Sequence, residues 1–177
     1  DEQMKLIYRW VKTRCIGEIF FYGVEGDEAD KNKQIIGETG ICQMITMMEK
    51  KFAEKDRTDP VIIYINGFAD FYNQIRDEDL ERLQELLRRP NWNGIRFFTV
   101  EIFEKLRDYR DTELYIRLIQ CCQGLVMGGN IDSSIIYYLP RDFNRADVKD
   151  RQKKLNGNQA ILYRGTSLSM ITLEEAM

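Results

Sequence analysis

Histidine is missing from this chain of 177 residues, and its absence removes several kinds of active site. Without an imidazole there is no Ser-His or Cys-His nucleophile pair, and no zinc held by histidine. Any proton transfer must use an Asp, Glu, Lys, Tyr or Cys side chain. The sequence therefore excludes the hydrolases that activate serine or cysteine through histidine.

Cysteines are few, and their spacing suits neither a metal site nor a disulfide framework. The four are Cys15, Cys42, Cys121 and Cys122, and none of them forms a CxxC pair. The adjacent Cys121 and Cys122 suit neither zinc ligation nor an ordinary disulfide. We expect reduced, mostly buried side chains that act as small hydrophobes, and we predict no metal-ligating residues.

Long apolar runs and a basic surplus are also lacking. No run approaches the roughly 20 apolar residues of a membrane span, and residues 1–15 mix charges with apolar positions, unlike a signal peptide. The formal net charge is −3 and the pI is near 5.2, which argues against nucleic acid as a partner. The sequence predicts a cytoplasmic domain, and its abrupt start suggests a fragment of a larger, membrane-anchored protein.

What is present is an alternation of helical and strand patterns. Helices are predicted over 2–14, over 41–52, from an N-cap at Asp77 to Arg89, and over 101–108 and 111–118; strands are predicted over 18–23, 61–65, 95–100, 124–128 and 159–163, with 167–172 as the second arm of a terminal hairpin. The run at 61–65 is continuous and apolar, as in a strand that is covered on both faces, and 95–100 is predicted to be another buried strand. This order predicts an α/β fold, a three-layer sandwich with a mostly parallel sheet, formed by one domain over residues 1–177.

Ligands of open parallel sheets gather beyond the carboxyl ends of the strands. The segments that follow three predicted strands are Asn66-Gly67-Phe68-Ala69-Asp70, Thr99-Val100-Glu101 and Gly128-Gly129-Asn130. Phosphate-transfer enzymes place an acid at the end of such a strand, near Mg²⁺ and the attacking water. Here the position holds the neutral Asn66, and Asp70 is a weak substitute. The phosphate-cradling pattern GxxxxGK[ST] does not occur in the sequence.

In the order of these elements the chain resembles an FtsK/SpoIIIE-type ATPase module, most closely a degenerate C-terminal ATPase domain of an EssC-like type VII secretion ATPase. The segment Asp59–Phe68 is similar to the family's proline followed by its Walker B strand. Leu80–Arg89 and Asn93–Thr99 resemble the helix and strand that come next, and Gly157–Gly165 resembles the late glycine-rich turn and strand. The resemblance implies a RecA-like, P-loop NTPase-like fold within a multi-domain secretion motor.

Departures from the family pattern fall at the positions that matter for catalysis. The resemblance places Asn66 at the Walker B acid, followed by Gly67, and gives Thr99-Val100 where active members carry Thr-Gln. Arg117 falls where an arginine contacts a neighbouring module's nucleotide, although an ordinary surface arginine is the simpler interpretation. We therefore predict no catalytic residues, and we interpret Asn66, Gly67 and Thr99 as positions of a degenerate nucleotide site.

The resemblance thus implies a degenerate, non-hydrolysing ATPase-like domain of a type VII secretion motor that acts in assembly, regulation or substrate docking. Its partners would be adjacent ATPase modules of the same polypeptide or ring and secreted protein substrates, and no cofactor is expected. The main alternative is a functional ATP-binding and ATP-hydrolysing FtsK-like module whose P-loop lies outside this chain, with ATP and Mg²⁺ as cofactors. A DNA-translocating relative and an unrelated flavodoxin-like domain are further alternatives.

Overall fold

The computed structural model describes residues 2–14, 16–24, 33–54, 59–118, 123–127, 150–151, 153–164 and 167–173. The chain divides into two compact units. The first unit comprises Cys15–Leu114, and the second comprises Asp1–Arg14 together with Tyr115–Met177. The prediction of one module over the whole chain stays a prediction.

Helices and strands alternate along the chain in the predicted order. The helices are α1 (Glu2–Arg14), α2 (Gly37–Ala53), α3 (Phe68–Gln74), α4 (Asp77–Leu87), α5 (Phe103–Leu106), which continues into a 3₁₀ turn (Arg107–Tyr109), and α6 (Glu113–Leu118). The strands are β1 (Glu18–Tyr22), β2 (Gln34–Ile35), β3 (Val61–Asn66), β4 (Ile95–Val100), β5 (Gln123–Met127), β6 (Gln159–Arg164) and β7 (Ser167–Thr172). Every helix and strand predicted from the sequence is confirmed, and the short elements β2 and α3 are additions.

A parallel sheet forms the centre of the first unit. Its four strands lie in the order β2-β1-β3-β4, and every neighbouring pair runs parallel. Residues Val61–Ile65 of β3 are all buried, although successive side chains point to opposite faces. Both faces of β3 are therefore covered, as the continuous apolar run predicted.

Strand β4 differs from the sequence-based expectation of a second fully buried strand. Ile95 is buried, Arg96 is exposed, and the remaining residues of β4 are partly exposed. The prediction was wrong because the sequence does not reveal whether a strand is central or at an edge, and among the described strands β4 has a neighbour on one side only. The half-exposed Phe98 still stacks on Tyr64, with ring centroids 5.8 Å apart.

Helix α4 begins one residue earlier than predicted. Asp77 was expected to be the N-cap, but the cap position is Arg76, which has extended backbone angles and makes no side-chain capping bond. Asp77 is instead the first helical residue, with Glu78 and Asp79 beside it in the first turn. Acids in the first turn stabilise a helix through its dipole. The predicted helix is therefore confirmed, but the prediction that Asp77 is its N-cap was wrong.

A buried carboxylate joins α4 to α2. Asp79 has no exposed surface, and its oxygens accept hydrogen bonds from Arg76 (Nε 3.0 Å, Nη2 2.6 Å) and Arg82 (Nη1 2.7 Å). The Arg82 guanidinium also reaches both carboxylate oxygens of Glu49 on α2, at 3.0 and 2.7 Å. We name Arg76, Asp79, Arg82 and Glu49 the α2–α4 network.

The second unit contains an antiparallel sheet in the order β5-β6-β7. Its hairpin of β6 and β7 confirms the predicted terminal pair, and Ala160 and Ile161 of β6 are buried. In α1, the side chains of Ile7, Tyr8 and Val11 are buried at helical spacing. The α/β class is confirmed, and the parallel sheet is confirmed for β1 to β4, whereas β5, β6 and β7 form a separate antiparallel sheet that the prediction did not include.

Across the described ranges, no helix combines the length and the apolar character that crossing a membrane would require.

Candidate functional site at the carboxyl edge of the parallel sheet

The carboxyl ends of β1, β3 and β4 lie side by side. Tyr22 pairs with Ile65, and Asn66 pairs with Val100, so Gly23, Asn66 and Glu101 follow or end neighbouring strands. In a parallel sheet this edge is where ligands are bound. The sequence-predicted positions Asn66 and Gly67 lie at this edge, which we call the carboxyl edge.

Asn66 uses its side chain to hold two strands together. Its Nδ2 donates a hydrogen bond to the carbonyl oxygen of Gly23, beyond the end of β1, at 2.7 Å. A carbonyl oxygen accepts and does not donate, so an aspartate at position 66 would set a negative oxygen against it. The neutral amide is therefore suited to this contact, and a carboxylate is not.

Gly23 is the partner that this contact requires. Its φ is +70°, in the left-handed region, and a Cβ built there would overlap the carbonyl oxygen of Asn66. Only glycine allows such a close approach without strain. Residues 23 and 66 thus fit each other through both the backbone and the side chain.

Beyond Asn66 the chain turns into α3, and a carboxylate from β4's end stabilises the turn. Gly67 is the N-cap of α3 with φ +86°, and its N–H donates to the carbonyl of Val100 at 2.9 Å. The Glu101 carboxylate accepts from the N–H of Ala69 at 2.9 Å and from the N–H of Ile102 at 2.7 Å. Glu101 therefore satisfies an otherwise unpaired donor at the start of α3.

Asp70 is the second carboxylate at the carboxyl edge, and it is more exposed. Its side chain is 61% exposed, and Oδ2 lies 3.4 Å from the ammonium group of Lys105. Tyr22, at the end of β1, has its pKa raised first by burial and then by the negative charge of Asp70. The phenol of Tyr22 therefore stays protonated at neutral pH beside this carboxylate.

The residues of the carboxyl edge do not form a Mg²⁺ site as they stand. Mg²⁺ in nucleotide-hydrolysing sites is held through carboxylates and substrate phosphates. Asn66 supplies a neutral oxygen, both oxygens of Glu101 accept backbone N–H groups, and Asp70 lies beside a cation. In the described part of the chain, no group of three or more His, Cys, Asp or Glu side chains is arranged as metal ligands.

The other predicted site residues, Thr99 and Arg117, lie on different elements from Asn66. Thr99 pairs with Ile65 and Val100 pairs with Asn66, so Thr99 projects from the face of the sheet opposite to Asn66. The assignment of Thr99 and Asn66 to one nucleotide site stays a prediction. Arg117 is exposed on α6 in the second unit, and its contact with a neighbouring module stays a prediction. The segment 128–130 lies outside the described residues.

Sequence reasoning overlooked Gly23 and Lys105, and it gave Glu101 no role. Gly23 is the last residue of the predicted strand 18–23, and this placement was a usable signal because parallel neighbours end at the same edge. The contact of Lys105 with Asp70 joins α5 to α3, so it depends on tertiary packing that no local pattern reports.

A depression of the first unit lies at the opposite edge of the sheet, where β1 and β3 begin. It has a volume of about 540 Å³ and is lined by Glu18 and Val61, which begin β1 and β3, and by α2 residues that include Thr46 and Lys50. Its walls carry both signs of charge, and Glu18 pairs with Lys33 at 3.3 Å. This depression offers no convergent set of groups, so we do not identify it as a ligand site.

Comparisons of the chain with protein-family profiles, with curated proteins and with solved structures find no significant match.

Proposed function

We propose that this chain is a degenerate, non-hydrolysing ATPase-like domain of a type VII secretion motor of the FtsK/SpoIIIE type. The observation that supports the proposal most is the hydrogen bond from Asn66 Nδ2 to the Gly23 carbonyl, at 2.7 Å. It gives the neutral residue at the Walker B-like position a structural task. A side chain that ties β3 to β1 supplies neither metal charge nor a general base.

Two features of the same edge support this proposal. The Glu101 carboxylate is engaged by the backbone N–H groups of Ala69 and Ile102, so it is not available as a substitute for the missing acid. Asp70 carries the charge nearest to Gly67, but Lys105 partly compensates it. The domain would then act through its surfaces, in assembly, regulation or substrate docking.

Its proposed partners are adjacent ATPase modules of the same polypeptide or ring and secreted protein substrates, in the cytoplasmic part of a membrane-anchored protein. A domain that hydrolyses nothing influences such neighbours only if its contacts differ between their conformational states. A RecA-like body of this kind would bias the neighbours' equilibrium by that difference in contact energy.

The test is ATP turnover with Mg²⁺ by the purified chain and by three variants. Asn66→Asp restores the acid, Asp70→Asn removes the alternative acid, and Glu81→Gln removes an exposed charge on α4 as a matched control. We expect the same background rate from all four proteins, since none would have its own turnover. We also expect Asn66→Asp to lose about 1–3 kcal/mol of stability, because its carboxylate faces the Gly23 carbonyl.

A wild-type rate that Asp70→Asn abolishes and Glu81→Gln preserves would overturn the proposal. It would favour a functional FtsK-like module whose P-loop lies outside this chain, with Asp70 in place of the acid. Turnover gained by Asn66→Asp would contradict the structural task assigned to the amide.

A further inference from the structure

Asparagine followed by glycine is the dipeptide in which spontaneous deamidation is fastest, because glycine has no Cβ to hinder attack by its backbone nitrogen. The chain contains three such pairs, Asn66-Gly67, Asn93-Gly94 and Asn156-Gly157. The reaction needs a free side-chain amide and a backbone nitrogen that can reach its carbonyl carbon. The structure distinguishes the three pairs on both requirements.

The first two pairs are held by hydrogen bonds. Asn66 Nδ2 donates to Gly23 at 2.7 Å, and the attacking nitrogen of Gly67 is buried and itself donates to Val100 at 2.9 Å. The Asn93 amide donates to two carbonyls near the end of α2, at 2.5 and 3.3 Å. In both pairs, the side-chain amide must leave its hydrogen bonds before it can react.

Asn156 is placed differently. Asn156 and Gly157 are both exposed in the turn that leads into β6, and the Asn156 side-chain amide makes no hydrogen bond to any residue that the structure describes. Only its backbone is held, with its N–H donating to Gln159 Oε1 and its carbonyl accepting from the Gln159 N–H, each at 3.0 Å. Apart from its chain neighbours, a Cβ at Gly157 would meet nothing within 4 Å, so no other described residue crowds this glycine.

We infer that Asn156 is a deamidation site of the native protein, whereas Asn66 and Asn93 are protected by their hydrogen bonds. The backbone nitrogen of Gly157 attacks Cγ of Asn156 and loses its proton to solvent, a new C–N bond forms, the Cγ–Nδ2 bond breaks, and ammonia leaves. Water then opens the cyclic imide at either carbonyl and leaves aspartate or isoaspartate. No oxidant or reductant takes part.

Each product changes the turn in a defined way. Both add one negative charge two residues after the exposed Lys153 and Lys154 in the sequence. Isoaspartate also inserts a methylene into the backbone just before β6, where the Leu173 N–H donates to the carbonyl of Asn158 at 2.7 Å. The modification therefore acts on the open end of the β6–β7 hairpin.

The experiment follows all three asparagines in one sample. The intact chain is incubated at mildly alkaline pH, and peptide mapping by mass spectrometry with electron-transfer fragmentation separates Asn, Asp and isoAsp at each position. We expect conversion at Asn156 to be at least about tenfold faster than at Asn66 or Asn93, since breaking even one hydrogen bond before attack costs on the order of a factor of ten. In the urea-denatured chain, the ratio of the conversion rate at Asn156 to the rate at either of the other two asparagines should approach one.

Gly157→Ala is the matched variant, because the position is open and its φ is outside the left-handed region. It should keep the wild-type melting temperature and slow conversion at Asn156 without changing the rates at the other two sites. Equal or faster conversion at Asn66 or Asn93 in the folded chain would overturn the inference. So would a preference for Asn156 that persists in urea, because it would then come from local sequence and not from the fold.

Discussion

Replacing Asp79 by asparagine tests the α2–α4 network. The substitution keeps the shape of the side chain and removes its charge, at a position with no exposed surface. In the native chain the carboxylate accepts from Arg76 at 2.6 Å and from Arg82 at 2.7 Å. The asparagine amide offers one acceptor oxygen and turns a donor toward the other guanidinium, so at least one of these contacts is lost.

The expected loss of stability depends on the burial of Asp79 and on the partial exposure of its two arginine partners. A hydrogen bond to a charged group contributes about 1.5–3 kcal/mol, and breaking a buried ion pair costs about 3–5 kcal/mol. The side chains of Arg76 and Arg82 are 44% and 34% exposed, so water compensates both guanidinium groups in part. We therefore expect Asp79→Asn to lower the free energy of unfolding by about 2 kcal/mol, or about 4–8 °C in melting temperature for a chain of this length.

The assay is urea unfolding followed by circular dichroism, with Glu81→Gln as the control. Glu81 lies on the same helix, is exposed, and also loses one negative charge on substitution. The control should change stability by less than about 0.5 kcal/mol. Equal effects of the two substitutions would refute the assignment of Asp79 as the buried centre of the network. A double-mutant cycle with Arg82→Gln should give a favourable coupling between positions 79 and 82.

Two further outcomes follow from the same structure. Hydrogen bonds from Arg82 lower the pKa of Glu49. Burial raises the pKa of Asp79, but the hydrogen bonds and charges of Arg76 and Arg82 together lower it more, so the net shift is downward. The stability from both carboxylates is therefore complete above their unfolded pKa of about 4 and is lost as the pH falls through their lower folded values, and an acid titration of the unfolding free energy should show a shallower loss in Asp79→Asn. Gly23→Ala should destabilise the chain much more than Gly37→Ala. Both glycines have a positive φ, but of the two only Gly23 has a neighbouring carbonyl that a Cβ would overlap. Equal losses in thermal unfolding would show that backbone strain alone accounts for the effect.

Periodicity predicted most of the fold because it reports which residues face the core. The buried positions Ile41, Met44, Ile45 and Met48 of α2 follow the helical spacing seen in the sequence, and Val61–Ile65 follows the pattern of a central parallel strand. The sequence could not show that β4 lies at the edge of the described sheet, since four of its six residues are as apolar as those of a central strand. It also missed α3, since no helix was predicted between β3 and Asp77.

The candidate site was predictable in position and less so in its contacts. Strand ends pointed to Asn66 and Gly67, because parallel strands bring their carboxyl ends together. The register then separates Thr99 from Asn66, a result that depends on how two strands distant in sequence align. The bond from Asn66 to Gly23 joins residues that are 43 positions apart, and only the folded sheet brings them into contact.

The most direct test of the proposed vestigial site is the effect of Mn²⁺ with ATP on the NMR signals of the Asn66 side-chain amide. Mn²⁺ is a paramagnetic substitute for Mg²⁺ and broadens the signals of nearby protons. The Asn93 amide serves as the internal reference, because it precedes β4 and so lies at the opposite edge of the sheet. We predict that both amides respond equally and weakly, as expected for a carboxyl edge that holds no metal–nucleotide complex. Selective broadening of Asn66 that requires ATP would contradict the account.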